Sequence, residues 1–217
     1  MSTERILTRT IQEFVGVEAD GIWGPNSARA VLSKLEIPEP AAPEVKEFTP
    51  GTVLSAPPSP SQKNDYFGRP REGYPFLGKV RSPYTLRLSW ERASTLTSFS
   101  AHQKSVSKFE AMLNGWLEHF GQDGIEHYGL DLFGGCYNHR SIRGGQSWSD
   151  HAYGAAIDFD PDRNGLRTSC AQSFMPVTAI RIAEACGIRN IGASMDRDCM
   201  HFADIDYGIF KGETLNP

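Results

Sequence analysis

The sequence contains no long run of apolar residues, no excess of positive charge and no pair of cysteines at CxxC spacing. Its longest apolar stretches are a few residues, which excludes a helix spanning a bilayer. Met1-Ser2-Thr3-Glu4-Arg5 leads into no hydrophobic segment, so no secretory signal and no membrane insertion are expected. Lysine and arginine number 22 against 26 acidic residues, a net charge of −4. That balance argues against nucleic acid as a partner, because neutralising phosphates needs a basic face. Cysteine is scarce: Cys136, Cys170, Cys186 and Cys199 lack the density of a disulfide scaffold, and four free thiols in a reducing cytosol are expected. What the chain does have is material for a core. Its 217 residues are 39% hydrophobic and 22% charged, enough for one large domain or a medium one with a small companion.

Proline sets the boundary between the two. Seven of the 14 prolines fall between Pro38 and Pro60. Proline lacks a backbone donor and fixes φ, so this stretch reads as a semi-rigid linker, about 70 Å long in polyproline II geometry. The expected division is a helical unit over 1–37, a linker over 38–64 and a larger domain over 65–217. In the first unit, Ile6, Thr10, Ile11, Phe14 and Val15 keep helical spacing up to Gly16. A turn follows at Asp20-Gly21-Ile22-Trp23-Gly24-Pro25, and a second helix carries Ala30, Val31 and Leu35 inward, with Asn26 or Ser27 as its cap.

The larger domain mixes helices with short strands. Tyr84–Trp90 alternates as a half-buried strand. Val106, Phe109, Leu113, Trp116, Leu117 and Phe120 form a helical stripe ending near Gly121. Ala155–Asp160 reads as a short strand, Pro176 and Gly187 bracket a helix, and Cys199–Ala203 is a further strand. No internal repeat and no regular βα alternation is present. The fold class is therefore α+β, with a small antiparallel sheet, flanking helices and a small all-α N-terminal domain.

Six histidines are available for chemistry. His102, His119 and His127 read as solvated or capping side chains. His151 and His201 differ because of their neighbours. His151 opens a run of small residues ending at Asp158, so the backbone can turn tightly and bring imidazole and carboxylate together. His201 closes Asp198-Cys-Met-His, adding a second imidazole and a second carboxylate. Two imidazoles and one carboxylate suit a catalytic Zn²⁺, which takes three protein ligands and keeps an open position. The remaining carboxylate would be the base that takes a proton from water. Spacing alone leaves Asp158 and Asp160 as rival ligands and Asp196 and Asp198 as rival bases. Cys136 and Cys199 flank the proposed site and could ligate, although a core or supporting thiol is the simpler reading. Trp148 and Tyr153 could line a substrate groove or belong to the core.

The run from Gly135 to Asp158, with Asp198-Cys-Met-His-Phe202, resembles the zinc D,D-carboxypeptidase and L-alanyl-D-glutamate endopeptidase family of peptidoglycan peptidases. Its pattern, Ser-x-His-x6-Asp followed by an acidic residue-x-x-His, is filled by Ser149, His151, Asp158, Asp198 and His201. The resemblance spans about residues 75–210. It implies His151, Asp158 and His201 as zinc ligands, Asp198 as general base, Arg140 as the group for oxyanion or substrate, and Ser149 at the substrate. Asp198 stands where many members carry glutamate. The N-terminal unit resembles the small helical peptidoglycan-binding domain found beside cell-wall hydrolases, through Asp20, Gly21, Trp23, Gly24 and Pro25. Together these imply a modular, monomeric, phage endolysin-like hydrolase that waits in the host cytoplasm until lysis and then acts on the wall. The implied reaction is cleavage of a stem-peptide amide, L-Ala–D-Glu. The rivals are a D-Ala–D-Ala carboxypeptidase on the same zinc centre, and a non-catalytic wall-binding or virion protein with a structural zinc.

Overall fold

The structure is a computed structural model that describes residues 3–17, 19, 21, 23, 25–36, 54–71 and 73–211. Two helices, α1 (Thr3–Val15) and α2 (Pro25–Lys34), form the N-terminal part. After them come α3 (Lys63–Phe67), β1 (Leu77–Leu88), β2 (Glu91–His102), α4 (Val106–His127), β3 (Leu132–Gly135) and β4 (Ala156–Phe159). The chain closes with α5 (Val177–Ala185), β5 (Arg189–Asn190), α6 (Gly192–Met195) and β6 (His201–Ala203). None of the described helices is long and apolar enough to cross a membrane.

The six strands form one sheet in the order β2-β1-β3-β4-β6-β5. It is mixed and not purely antiparallel as expected, because β1 and β3 run parallel, joined by the crossover through α4. In the long hairpin the expected alternation is borne out at Tyr84 and Leu86, which are buried, and Leu88, which is half-buried. A register irregularity between Arg81 and Leu86 surrounds Pro83, which has no N–H for the ladder. The expected strand runs two residues too far: β1 stops at Leu88, and Trp90 sits in the hairpin turn, 65% exposed.

Helix α4 supplies the lid of the core. Its stripe buries Phe109, Met112, Leu113 and Trp116, and regular helix breaks at Gly121, where φ is 64°. A second helical segment then continues to His127. Trp116 stacks edge-on against Phe159 at 4.9 Å and Phe202 at 5.2 Å, and its indole N–H donates to Ala179 O at 2.9 Å. Successive strand residues face opposite sides. Ile157, Phe159 and Phe202 therefore meet α4, while Ala156 and Ala203 join a second core with Phe67, Tyr153 and Ile205. Beside it, Lys108 of α4 is fully buried with Asp204, whose other oxygen accepts from Ser105 Oγ at 2.9 Å.

The last part of the expected linker is described. Residues 37–53 lie outside the described residues, but 54–64 pack on the sheet domain as a strap. Leu54 reaches the main core, Pro57 and Pro58 are buried, and Pro58 O accepts from Asp206 N at 2.8 Å. Prolines at the strap's contacts lose no hydrogen bond by being buried, which is why the segment packs without joining the sheet. The strap ends in α3, where Phe67 O accepts from Tyr74 Oη and from His102 Nε2 at 3.0 Å. Of the two expected roles, solvated or capping, the first is excluded: His102 is a buried anchor whose Nδ1 accepts from Lys104 N at 3.1 Å, just ahead of α4.

In the N-terminal part, of the residues expected to point inward from α2, Ala30 and Val31 are half-buried and Leu35 is not buried. Ile6, Phe14 and Leu35 are exposed, Phe14 at 69%, and the contact is made by Thr8, Gln12 and Ser27. Gln12 donates to Ser27 Oγ and accepts from Gly21 N, both at 2.9 Å, tying the turn to both helices. Two short helices offer too little area to bury a full stripe. Helix α2 begins at Pro25, so neither Asn26 nor Ser27 lies in front of it as a cap.

Two of the four cysteines are not free. Cys170 and Cys199, 29 positions apart, form a disulfide with Cα atoms 5.8 Å apart. Pairing of Ser169 with Arg197 and the bond from Cys170 N to Asp196 O bring the segments together. Cys136 and Cys186 are free and buried.

A chain starting at residue 54 should keep the thermal transition of the sheet domain. One starting at residue 68 loses Leu54 and Phe67 from the core and should be destabilised by about 3–5 kcal/mol, seen as a midpoint lower by roughly 10 °C. Equal midpoints would mean that the strap is not part of the domain.

The second prediction concerns His102, which is 1% exposed. Burial, reinforced by Lys104, pushes its pKa down to about 4 despite the hydrogen bond to Phe67. The unfolded chain takes up this proton near pH 6.5, so below that pH it binds more protons than the native state. Stability should fall as pH drops from 6.5 to 4, by about 2–3 kcal/mol through this group. Denaturation midpoints across that range should show the slope, and His102→Gln should flatten it.

Candidate metal centre

Strand pairing builds the site. Asp158 of β4 lies opposite His201 of β6, and both point away from α4. His201 Nδ1 is 2.9 Å from Asp158 Oδ1, and His151 Nε2 is 3.3 Å from Asp158 Oδ2. The ligand atoms of His151, Asp158 and His201 lie within 4.8 Å of one another, and the group can hold a metal ion. The histidine rings stand 4.9 Å apart at 77°.

Each member is placed by its local backbone. His151 sits in the 3₁₀ turn Asp150–Tyr153, where Ala152 N donates to Ser149 O at 2.9 Å. Gly154 ends the turn with φ 65°, and a Cβ there would lie 2.7 Å from His102 N, so only glycine fits. His151 Nδ1 is 2.7 Å from Cys136 O, which fixes the ring and turns Nε2 toward Asp158. Asp158 closely approaches Gly134 of β3, where a Cβ would come within 2.9 Å of the aspartate's own.

Asp198 precedes β6 with φ 61°, an unusual conformation for a non-glycine residue. It is 8% exposed, and its Oδ1 has no hydrogen-bond partner among the described residues. Burial pushes its carboxyl above the ordinary range; Asp158 adds to this, while His201 and His151 oppose it. At Asp158 burial acts the same way, yet the two histidines outweigh it and hold this carboxyl well below the ordinary range. Burial disfavours charge on His201, but the neighbouring carboxylates of Asp150 and Asp158 lift it to about 10.

The residues fit a metal. Two imidazoles and an ionised carboxylate converge, and two buried polar atoms at the cluster, His201 Nε2 and Asp198 Oδ1, lack hydrogen-bond partners. The structure separates the members of both pairs left open by spacing. Asp160 leaves the strand with φ 48° and pairs with Arg163, away from the cluster. Asp196 is exposed whereas Asp198 is buried. Cys199 is in the disulfide, and Cys136 is not part of the converging ligand group.

A cleft of about 460 Å³ opens beside the group, lined by His151, Asp158, Arg140, Tyr137, Asn138 and the hairpin-turn Trp90, among others. Arg140 is on the wall of the cleft, with its Nη1 donating to Ser141 O at 3.2 Å. Trp148 and Tyr153 are not among the cleft residues. Tyr153 is 1% exposed in the second core, its hydroxyl on Asn64 Oδ1, and Trp148 stacks on His139 at 4.7 Å. Ser149 is buried, with its N–H on Arg140 O. Of the implied wall-binding residues, Gly21 and the exposed Trp23 lie between α1 and α2, and Asp20 and Gly24 fall outside the described residues.

Sequence reasoning missed Asp150, Lys63 and Tyr207. Asp150 accepts from Lys63 Nζ at 3.0 Å and from Tyr207 Oη at 2.6 Å, and its Oδ2 is 3.5 Å from His201 Nε2. Asp150 is visible beside His151 in the motif, whereas nothing local marks Lys63 or Tyr207. Comparison with protein-family models, curated proteins and solved structures finds no match.

His151→Ala, Asp158→Ala and His201→Ala should each lose the metal that the parent holds, read by metal analysis after dialysis, because only three protein ligands are available. Asp160→Asn should keep it while lowering the melting temperature, since it strips Arg163 of its buried partner. Full metal content in both histidine variants would refute the centre.

Proposed function

We propose that the protein is a zinc metallopeptidase that hydrolyses an amide of the peptidoglycan stem peptide, L-Ala–D-Glu. The observation that carries this reading is the buried carboxylate of Asp198, whose Oδ1 has no hydrogen-bond partner among the described residues, beside the His151, Asp158 and His201 group. A structural metal site needs four protein ligands and no base, so this arrangement speaks for hydrolysis over a purely structural ion. The family pattern supplies the substrate class.

A zinc ion held by His151, Asp158 and His201 would supply Lewis acidity, making water more acidic and the scissile carbonyl more electrophilic. The chain's own groups do the rest. Asp198 accepts the proton of the attacking water, so its elevated proton affinity suits a base that must later act as an acid. The same proton then passes to the leaving amine nitrogen as the C–N bond breaks, which balances the hydrolysis. Arg140, on the wall of the cleft, donates to the developing oxyanion or to a substrate carboxylate. The helical N-terminal unit, through the turn at Trp23, holds the wall and raises the local concentration of substrate. The chain acts as a monomer, stored in the host cytoplasm and released at lysis, where the Cys170–Cys199 bond is free to form.

Digestion of purified peptidoglycan, followed by mass spectrometry of the new ends, tests the reading. A free L-Ala carboxyl is expected; released D-Ala would make the protein a carboxypeptidase, and no product would favour a binding protein. Asp198→Asn should retain zinc and slow cleavage by ~10²–10⁴-fold. Activity within a few-fold of the parent would remove Asp198 from the base role.

A further inference from the structure

We infer that Asp150 is a positioning residue that fixes the ring of His201 for metal binding, and that Lys63 of the strap and Tyr207 hold Asp150 in place. The inference rests on His201 being a metal ligand and is independent of the substrate proposed above.

A neutral imidazole has one N–H and one lone pair. His201 turns Nδ1 toward Asp158, 2.9 Å away, on the side where the three ligand atoms converge. For Nδ1 to offer a lone pair there, the hydrogen must sit on Nε2. That nitrogen is buried and has no hydrogen-bond partner among the described residues, and the carboxylate oxygen facing it is Asp150 Oδ2 at 3.5 Å. A modest shift of the ring on metal binding would close this gap to a hydrogen bond. Asp150 also precedes His151 directly, so one turn supplies a ligand and the orienting group of another ligand.

The two histidines are therefore anchored differently. His151 is oriented by the backbone carbonyl of Cys136, which is part of the fold. His201 depends on a side chain, and that side chain is held from two further elements. Lys63 Nζ bonds Asp150 Oδ1 at 3.0 Å and Trp148 O at 3.1 Å, while Tyr207 Oη donates to Oδ2 at 2.6 Å. These contacts leave the buried carboxylate little freedom to swing away from His201. A carboxylate behind a metal-bound histidine both selects the tautomer and makes the ring a better donor, and losing it costs typically 10–100-fold in metal affinity.

The test uses the full-length protein stripped with a chelator. Zn²⁺ affinity is measured by competition with a chromogenic chelator, and the Co²⁺ absorption spectrum reports ligand geometry. Asp150→Asn should weaken Zn²⁺ binding roughly 10–100-fold and change the Co²⁺ bands. Tyr207→Phe, which keeps the ring, should weaken binding to a smaller degree. The thermal midpoint of each metal-free variant separates positioning from structure, because loss of packing alone lowers that midpoint without changing the Co²⁺ bands. Parent-like affinity and spectrum in Asp150→Asn overturn the inference. Should that variant not fold, the same parent-like result in Tyr207→Phe overturns it. A parent that binds neither ion removes its premise. A parent that binds zinc yet cleaves no peptidoglycan overturns the proposed function alone.

Discussion

The antiparallel pairing of β4 with β6 is the constraint on which the site depends. Asp158 and His201 are cross-strand partners, so their approach is a property of register. A slip of one residue would send one of them to the opposite face, against α4, and bring an apolar side chain into the cluster. Register is held from that opposite face, where Trp116 lies against both Phe159 and Phe202. Core packing and metal-site geometry are thus two faces of the same short pair of strands. The small residues Ala156 and Ala203 on the site face let the second core and the strap close up behind them.

Buried charge is concentrated just beyond β6. Asp204 is paired with Lys108, and two residues after Ile205 the chain delivers Tyr207 to Asp150. Such pairs contribute little net stability, because desolvation offsets most of the attraction, but removing one partner costs about 3–5 kcal/mol. Their effect here is placement. The Lys108–Asp204 pair fixes the exit of β6 against α4, so the segment that follows passes close to the second core and the strap.

The legible part of this fold was the part written in local periodicity. The stripe on α4, the strand at 156–159 and the Pro176–Gly187 bracket of α5 all appear within one or two residues of their expected places. The metal group was legible because a turn of small residues and a short strand bring His151 to Asp158 locally. Choosing Asp158 over Asp160 needed the left-handed backbone at Asp160, which alternation cannot reveal. Proline misled in one respect: it forbids regular ladders but does not forbid burial, and Pro57 and Pro58 are packed. Lys63, Tyr207 and the Cys170–Cys199 bond join positions tens of residues apart, and no spacing rule anticipates them. The exposed apolar stripe of α1 shows the converse, a helical period that predicts the helix but not what covers it.

The disulfide also changes the topology of the chain. It closes a covalent ring that contains α5, β5 and α6, with Asp198 inside and His201 two residues beyond the closing cysteine. A single peptide-bond cut anywhere between the two cysteines opens the ring without releasing a fragment. Asp198 and His201 would stay covalently joined to the segment that carries His151 and Asp158, and the nicked molecule could reclose as a unimolecular reaction. Reduction removes that security, since the same cut would then yield two separable pieces. Tolerance of this molecule to proteolysis in its last fifty residues is therefore set by the thiol chemistry of its surroundings as well as by its folding stability.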